Sequence, residues 1–323
     1  TAITYKTKDH YFGRNLDLDD TYYEMVTVTP RNYPFHYRKM GAVLQHYAMI
    51  GIACIVDDYP LYYAAVNEKG LRTAGLHFPQ NAVYKPEVPD RDNVPPFELI
   101  PWLLGQCATV GEVREKLERI HLVNLDFKET LPLSPLHWMV ADRESSITVE
   151  AVQDGVKVYD NPAGVMTNNP AFDIQLFNLN NFMYLSTEPP RNQFCSSLPL
   201  DAYSLGMGAM GLPGDMSSMS RFVKAVFTKL NSVSDSSESA SISQFFHILH
   251  SVEMQRGCVR VGENRYEITD YSCCCNVDRG IYYYTTYENS QITGVDMYKE
   301  DLDGSRLVTY PLLKGQRVRM QNS

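Results

Sequence analysis

No apolar stretch in the sequence approaches the roughly 18 residues that cross a bilayer as a helix, so a membrane-spanning segment is not expected. There is no basic run either. The formal net charge is −9, which argues against a nucleic-acid partner. Cysteine is sparse: Cys54, Cys107, Cys195, Cys258 and the run Cys273-Cys274-Cys275. An odd number scattered along a long chain suits neither a disulfide-stapled secreted fold nor the paired spacing of a structural zinc site. Neighbouring residues on a strand face opposite sides, so the cysteine run reads as three small strand residues, and a reducing cytoplasm is the expected compartment. No leader pattern opens the chain.

Standard catalytic signatures are also missing. The chain has no G-x-S-x-G elbow, no H-E-x-x-H, no P-loop and no S-x-x-K. Gly206-Met207-Gly208-Ala209-Met210-Gly211 fits G-x-G-x-x-G by letter. However, Leu212-Pro213-Gly214 follows at once and no βαβ unit surrounds it, so a close-packed loop is the better reading. His247 and His250 lie i, i+3 among aromatics without a third ligand, and His137 sits beside Trp138 in a strand pattern. Core packing is the expected role of all three.

What is present is an ordinary soluble composition, 44% hydrophobic and 21% charged, enough to bury a sizeable core. The chain opens on two β-like runs, Ala2 to Tyr5 and His10 to Phe12, which bring Arg14, Asn15 and Asp17 close to the amino end. Strand patterns follow at Glu24 to Pro30, at the apolar run Met49 to Val56, and in a hairpin across Asn67-Glu68-Lys69-Gly70. Pro96 to Gln106 reads as a helix broken by Pro101. Thr109 to His121 reads as a second helix, with Thr109 and Glu112 forming a capping box. A meander of Leu136 to Ala141, Ser146 to Val152 and Val156 to Tyr159 ends in Val165-Met166-Thr167-Asn168-Asn169-Pro170. Helices are expected at Asp173 to Leu185, Ser220 to Leu230 and Ile242 to Val252, then three closing strands from Tyr266 to Tyr298. Strand blocks alternating with helix pairs predict an α+β fold, two antiparallel sheets packed together with helices outside each, in one domain over residues 1–323.

Polar residues stand at unusual places: Arg14 and Asp17 by the first strands, Asn168 and Asn169 before a proline, Arg221 at a helix start. Such a set suits a site built around the chain's amino end. An α-amino group titrating near pH 7.7–8 can act as base for a nucleophile on its own residue. A nearby arginine favours a thiolate, an aspartate orients the amine, and an asparagine amide donates to an oxyanion.

The runs Tyr11-Phe12-Gly13-Arg14-Asn15-Leu16-Asp17, Asn67-Glu68-Lys69-Gly70-Leu71, Leu136-His137-Trp138, Thr167-Asn168-Asn169-Pro170 and Gly211-Leu212-Pro213-Gly214-Asp215, with Ser220-Arg221-Phe222 after them, resemble the choloylglycine hydrolases. The likeness extends nearly through the chain and is strongest to the bacterial bile salt hydrolases. It implies the four-layer αββα N-terminal nucleophile hydrolase fold, a homotetramer, no metal and no cofactor. It also implies hydrolysis of the amide joining a bile acid to glycine or taurine. By resemblance, Arg14 steadies the nucleophile's ionisation and Asp17 holds its amino group. Asn168 and the backbone N–H of His77 meet the oxyanion, and Arg221 completes the polar network. Leu16, Tyr22, Val56, Phe127 and Leu131 resemble the family's steroid pocket.

Two departures stand out. The family's nucleophile is an N-terminal cysteine usually followed by threonine. The spacing from Thr1 to Arg14 is one short for Thr1 itself, so the cysteine is expected immediately before Thr1. Second, Gly75-Leu76-His77-Phe78-Pro79 carries histidine where the family often has asparagine. Two other readings stay open: a penicillin V acylase-like amidohydrolase, and a form that binds bile salts without turnover.

Overall fold

The structure, a computed structural model, describes residues 1–322. Strands β1 (Ala2–Lys6) and β2 (His10–Leu18) form the opening hairpin. β3 (Met25–Thr29), β4 (Met49–Val56), β5 (Tyr59–Asn67) and β6 (Arg72–His77) follow. Helices α1 (Leu99–Gln106) and α2 (Val110–Arg119) lead to the meander β7 (Leu136–Ala141), β8 (Ser146–Val152) and β9 (Gly155–Asp160). Next come β10 (Val165–Met166), α3 (Phe172–Asn178), α4 (Ser218–Asn231) and α5 (Glu238–His250). The chain closes with β11 (Ile268–Asn276), β12 (Ile281–Thr286), β13 (Asn289–Asp296) and β14 (Val308–Pro311).

These strands make two antiparallel sheets. One has the order β10-β1-β2-β11-β12-β13, the other β9-β8-β7-β6-β5-β4-β3-β14. Three apolar layers hold them. Trp102, Leu103, Val113 and Leu117 of α1 and α2 pack on Trp138, Ile147 and Val149 of the eight-stranded sheet. Phe12, Leu16, Ile50, Ile52 and Met139 fill the space between the sheets. Phe222, Val226, Phe245 and Leu249 of α4 and α5 cover Ile3, Tyr5 and Tyr11 on the outer face of the six-stranded sheet. The result is the αββα sandwich expected from the strand and helix blocks.

Strand alternation assigns the layers residue by residue. Cys273 and Cys275 enter the layer between the sheets, while Cys274 faces the helices. Gly13 of β2 lies opposite Cys274 of β11. A Cβ there would lie 1.8 Å from the Cys273 carbonyl oxygen. Asn67 ties the β5–β6 turn to α1: its Oδ1 accepts from the N–H groups of Lys69 and Leu71, and its Nδ2 donates to the carbonyls of Leu104 and Cys107.

α1 is not broken at Pro101, because Pro101 is its third residue, where the backbone N–H has no intrahelical partner to lose. The predicted helix from Thr109 ends at Arg119, and Ile120–Leu122 pairs as a strand with Asp92–Val94. The predicted helix from Asp173 is helical only to Asn178 before a 3-10 turn over Leu179–Phe182. Val165–Met166 does not end the meander: it crosses to the other sheet and pairs with β1.

Candidate active site

Strand β1 begins in a buried position. Thr1 is 2% exposed and pairs with Asn15 of β2, donating to the Asn15 carbonyl (3.4 Å) and accepting from the Asn15 N–H (2.9 Å). Its nitrogen thus occupies a ladder position. Burial drives the Thr1 amino group down from 8.0 to about 4; Asp17 opposes the shift, and Arg221 and Arg14 add to it.

Alternation divides the polar residues of β2 between two faces. Asn15 and Asp17 share the helix-facing side with Thr1. Asp17 Oδ2 lies 3.9 Å from the Thr1 nitrogen and 3.8 Å from Arg221 Nη1, while its Oδ1 accepts from Thr269 Oγ1 (2.6 Å). Arg221, in the first turn of α4, spreads its guanidinium over three groups. It donates to Thr1 Oγ1 (2.8 Å), to Asn168 Oδ1 (2.8 Å) and to the Met216 carbonyl (3.0 Å).

Arg14 faces the other way, between the sheets. The pairing of β5 with β6 ends at Ala64 opposite Ala74. Arg14 Nη1 enters the fork beyond, donating to the carbonyls of Tyr63 (3.1 Å) and Gly75 (2.6 Å). Its Nε donates to the Asn15 carbonyl (3.2 Å). Among the described residues no carboxylate lies within ion-pair distance of it. A guanidinium 4% exposed and held only by carbonyls leaves its charge available to an anion nearby.

Asn168 sits on the turn after β10. One N–H of its side-chain amide donates to the His77 carbonyl (2.8 Å), and among the described residues the second has no partner. His77 ends β6 beyond the last pair with β5; partial desolvation of its ring, then His137, lowers the pKa of that imidazole. Arg14, Asp17, His77, Asn168 and Arg221 are therefore gathered around the start of β1 from four separate parts of the chain.

The five residues read as a steroid pocket lie less tightly grouped. Leu16 is buried between the sheets. Tyr22 is exposed, and its carbonyl accepts from Cys54 Sγ on the strand that ends at Val56. Phe127 stacks edge-on against Phe97, near Tyr59 and beneath Arg38. Its loop, which includes Leu131, reaches the end of β4 through the ion pair of Lys128 with Asp57.

Sequence reasoning missed Gln175 and Ser218, which bond the turn carrying Asn168, and Glu253 and Glu267, whose pKa values burial and then Asp17 raise. None of the four lies in a recognisable motif. A 220 Å³ cleft opens beside the end of β2, lined in part by Leu18, Asp19, Asp270 and Lys314. A larger groove of 570 Å³ lies on β12 and β13, and no residue of the Thr1 cluster lines it.

Comparison with known proteins bears directly on this arrangement. Residues 1–310 match the model of the choloylglycine hydrolase family, linear amide C–N hydrolases. A Lactiplantibacillus plantarum protein named bile salt hydrolase/transferase is 57% identical over 97% of this chain and 96% of its own. A Clostridium perfringens protein of the same name is 37% identical over 100% of this chain and 99% of its own. The crystal structure of a conjugated bile acid hydrolase variant from Clostridium perfringens superposes with a TM-score of 0.93 at 35% identity, covering 99% of both chains. Penicillin V acylase from Agrobacterium tumefaciens shares the fold, with a TM-score of 0.77 at 19% identity over 97% of this chain and 92% of its own.

Proposed function

The chain belongs to the choloylglycine hydrolase family of linear amide C–N hydrolases, and we propose that it cleaves the amide joining a bile acid to glycine or taurine. The observation that carries this reading is the convergence of Asp17, Asn168 and Arg221 on the buried start of β1, with Arg14 on the opposite face.

The nucleophile in this reading is a cysteine immediately before Thr1. The Thr1 nitrogen already makes the ladder bond of an internal strand amide. Continuing the register of Ala2 with Arg14 puts a preceding residue opposite Leu16, with its side chain on the Arg14 face. There the Arg14 charge favours the thiolate, and the residue's own amino group takes the thiol proton. The thiolate attacks the amide carbon. The second Asn168 N–H and the His77 backbone N–H stabilise the oxyanion; as it collapses, the C–N bond breaks and the leaving nitrogen takes the proton held by the α-ammonium, departing as glycine or taurine. Water then hydrolyses the acyl thioester. Arg221 fixes the orientation of Asn168 by holding its oxygen, so that the nitrogen faces the reaction.

Leu16 is assigned to the floor of the steroid site, with Tyr22, Val56, Phe127 and Leu131 on its rim. The protein is assigned to the cytoplasm, supported by seven free cysteines, and to a homotetramer. Residues 1–323 act as one domain in this reading.

Side-by-side hydrolysis of taurocholate, glycocholate and penicillin V tests the substrate, together with the intact mass of the native N-terminus. Turnover of the two bile salts, abolished by iodoacetamide, with a mass one cysteine above that of the chain from Thr1, is expected. Preference for penicillin V would move the protein to the acylase reading. Bile-salt binding without turnover would make it a binder.

A further inference from the structure

Asn168 is held by a closed ring of hydrogen bonds that begins and ends on its own backbone. Its N–H donates to Ser218 Oγ (2.8 Å), and Ser218 Oγ donates to Thr167 Oγ1 (3.0 Å). Thr167 Oγ1 donates to Gln175 Oε1 (2.7 Å), with the Ser218 carbonyl a longer second acceptor (3.0 Å), and Gln175 Nε2 donates back to the Asn168 carbonyl (2.6 Å). The second Gln175 N–H goes to the Pro170 carbonyl (2.9 Å).

Gln175 is fully buried in α3 and spends its polar capacity on this turn. Two carbonyls and one hydroxyl fix its orientation, since only the amino side of the amide can face two carbonyls. From the other side, His137 Nε2 lies 2.8 Å from the Thr167 carbonyl. The His137 ring is stacked on Phe78 and paired through Nδ1 with Glu150 Oε1 (3.2 Å). The backbone around Asn168 is thus bonded on both flanks before its side chain meets Arg221 and His77.

We propose that Gln175 is a positioning residue for the hydrolysis, acting through the Thr167-Asn168-Asn169-Pro170 turn to hold the Asn168 amide where the oxyanion forms. The inference rests on the reading that Asn168 donates to that oxyanion. Bonds in a closed donor-acceptor ring polarise one another, so removing one member loosens the rest. A donor needed only in the transition state affects turnover rather than binding.

The test is a double-mutant cycle read in kcat, KM and thermal stability, with a conjugated bile acid as substrate. Gln175→Leu removes the donors and the acceptor at similar volume. Ser218→Ala cuts the ring at its opposite side and serves if the first variant does not fold. Each is expected to lower kcat by roughly 10- to 100-fold, the scale of a small misplacement of a catalytic group, with KM within about 2-fold of wild type. In an Asn168→Ala background the same substitutions should change kcat by no more than about 2-fold, because their route is already gone. A folded Gln175→Leu with wild-type kcat, or losses that multiply with those of Asn168→Ala, would overturn the positioning role and leave the Asn168 assignment standing. If Asn168→Ala alone keeps the wild-type rate, the oxyanion reading fails and this inference falls with it.

Discussion

Arg221 joins two jobs that substitution can separate. Its charge lies 3.8 Å from Asp17 Oδ2, and its planar fork bonds Thr1 Oγ1, Asn168 Oδ1 and the Met216 carbonyl. Arg221 is 4% exposed, and the Asp17 side chain is 7% exposed. At that separation and an effective dielectric near 20, the Coulomb attraction is about 4 kcal/mol. Arg221→Met leaves Asp17 buried with the Thr269 hydroxyl as its remaining hydrogen-bond donor. Removing one partner of a buried pair costs about 3–5 kcal/mol. Arg221→Lys keeps a cation but not the fork, and should cost about 1–2 kcal/mol from lost hydrogen bonds. Both free Asn168 Oδ1, so both should lower kcat by roughly 10-fold or more. Urea unfolding at pH 7, followed through the buried Trp102 and Trp138, measures the first effect, and steady-state hydrolysis the second. Equal stability of the Met and Lys variants would refute the charge argument. A Lys variant with full turnover would refute the fork.

Other consequences are simpler to state. Arg14→Met should move the acid limb of the kcat/KM profile upward by roughly 1 pH unit or more, because the unopposed cation beside the nucleophile is gone. An unchanged profile would detach Arg14 from that ionisation. Glu98 is fully buried, with Oε1 accepting from the Arg38 N–H and Oε2 without a partner, and burial lifts it from 4.5 to about 7. Between those pH values the unfolded chain has released a proton that the folded chain retains. Stability should therefore fall as pH rises through this window, by roughly 3 kcal/mol at most, and level off above it. Glu98→Gln should remove that slope, and a stability gap to wild type that is constant from pH 4.5 to 7.5 would count against the assignment. Gly13→Ala places a methyl 1.8 Å from a backbone oxygen, so the cost should exceed the roughly 1–3 kcal/mol of ordinary overpacking. A wild-type melting temperature for this variant would show that β2 can move.

Local physics made much of the fold legible. Met49–Val56 is a strand with the bounds its apolar run suggests, and Thr109 caps α2 by accepting from the Glu112 N–H, though the Glu112 carboxylate returns to the Ala108 N–H rather than to that of Thr109, so only half of the expected capping box forms. What local pattern could not supply was the choice among distant partners. Val165–Met166 is too short for its sequence to say which sheet it joins, and its pairing with β1 is decided by the chain that follows. Pro101 looked like a breaker because the start of α1 was placed three residues early, and a proline tolerated in a first turn is disruptive further in. Gln175 and Ser218 carried no signal at all. Their importance comes from α3 and α4 meeting at one turn, which no spacing along the chain reveals.

The charge pair at the beginning of the chain is best understood through the two faces of β2. Arg14 points between the sheets and Asn15 and Asp17 point toward α4 and α5, so one strand serves both layers. A register slip of a single residue would exchange the faces, sending the guanidinium to the helices and the carboxylate to the space between the sheets. Gly13 opposes such a slip, because it alone permits the close approach of β2 to Cys273 and Cys274, and any other residue brought there would strike the β11 backbone. The glycine next to Arg14 therefore bears on the proposed site through the register its close contact favours. That register is why the opposite charges in the motif can flank the start of β1 from both sides of one sheet.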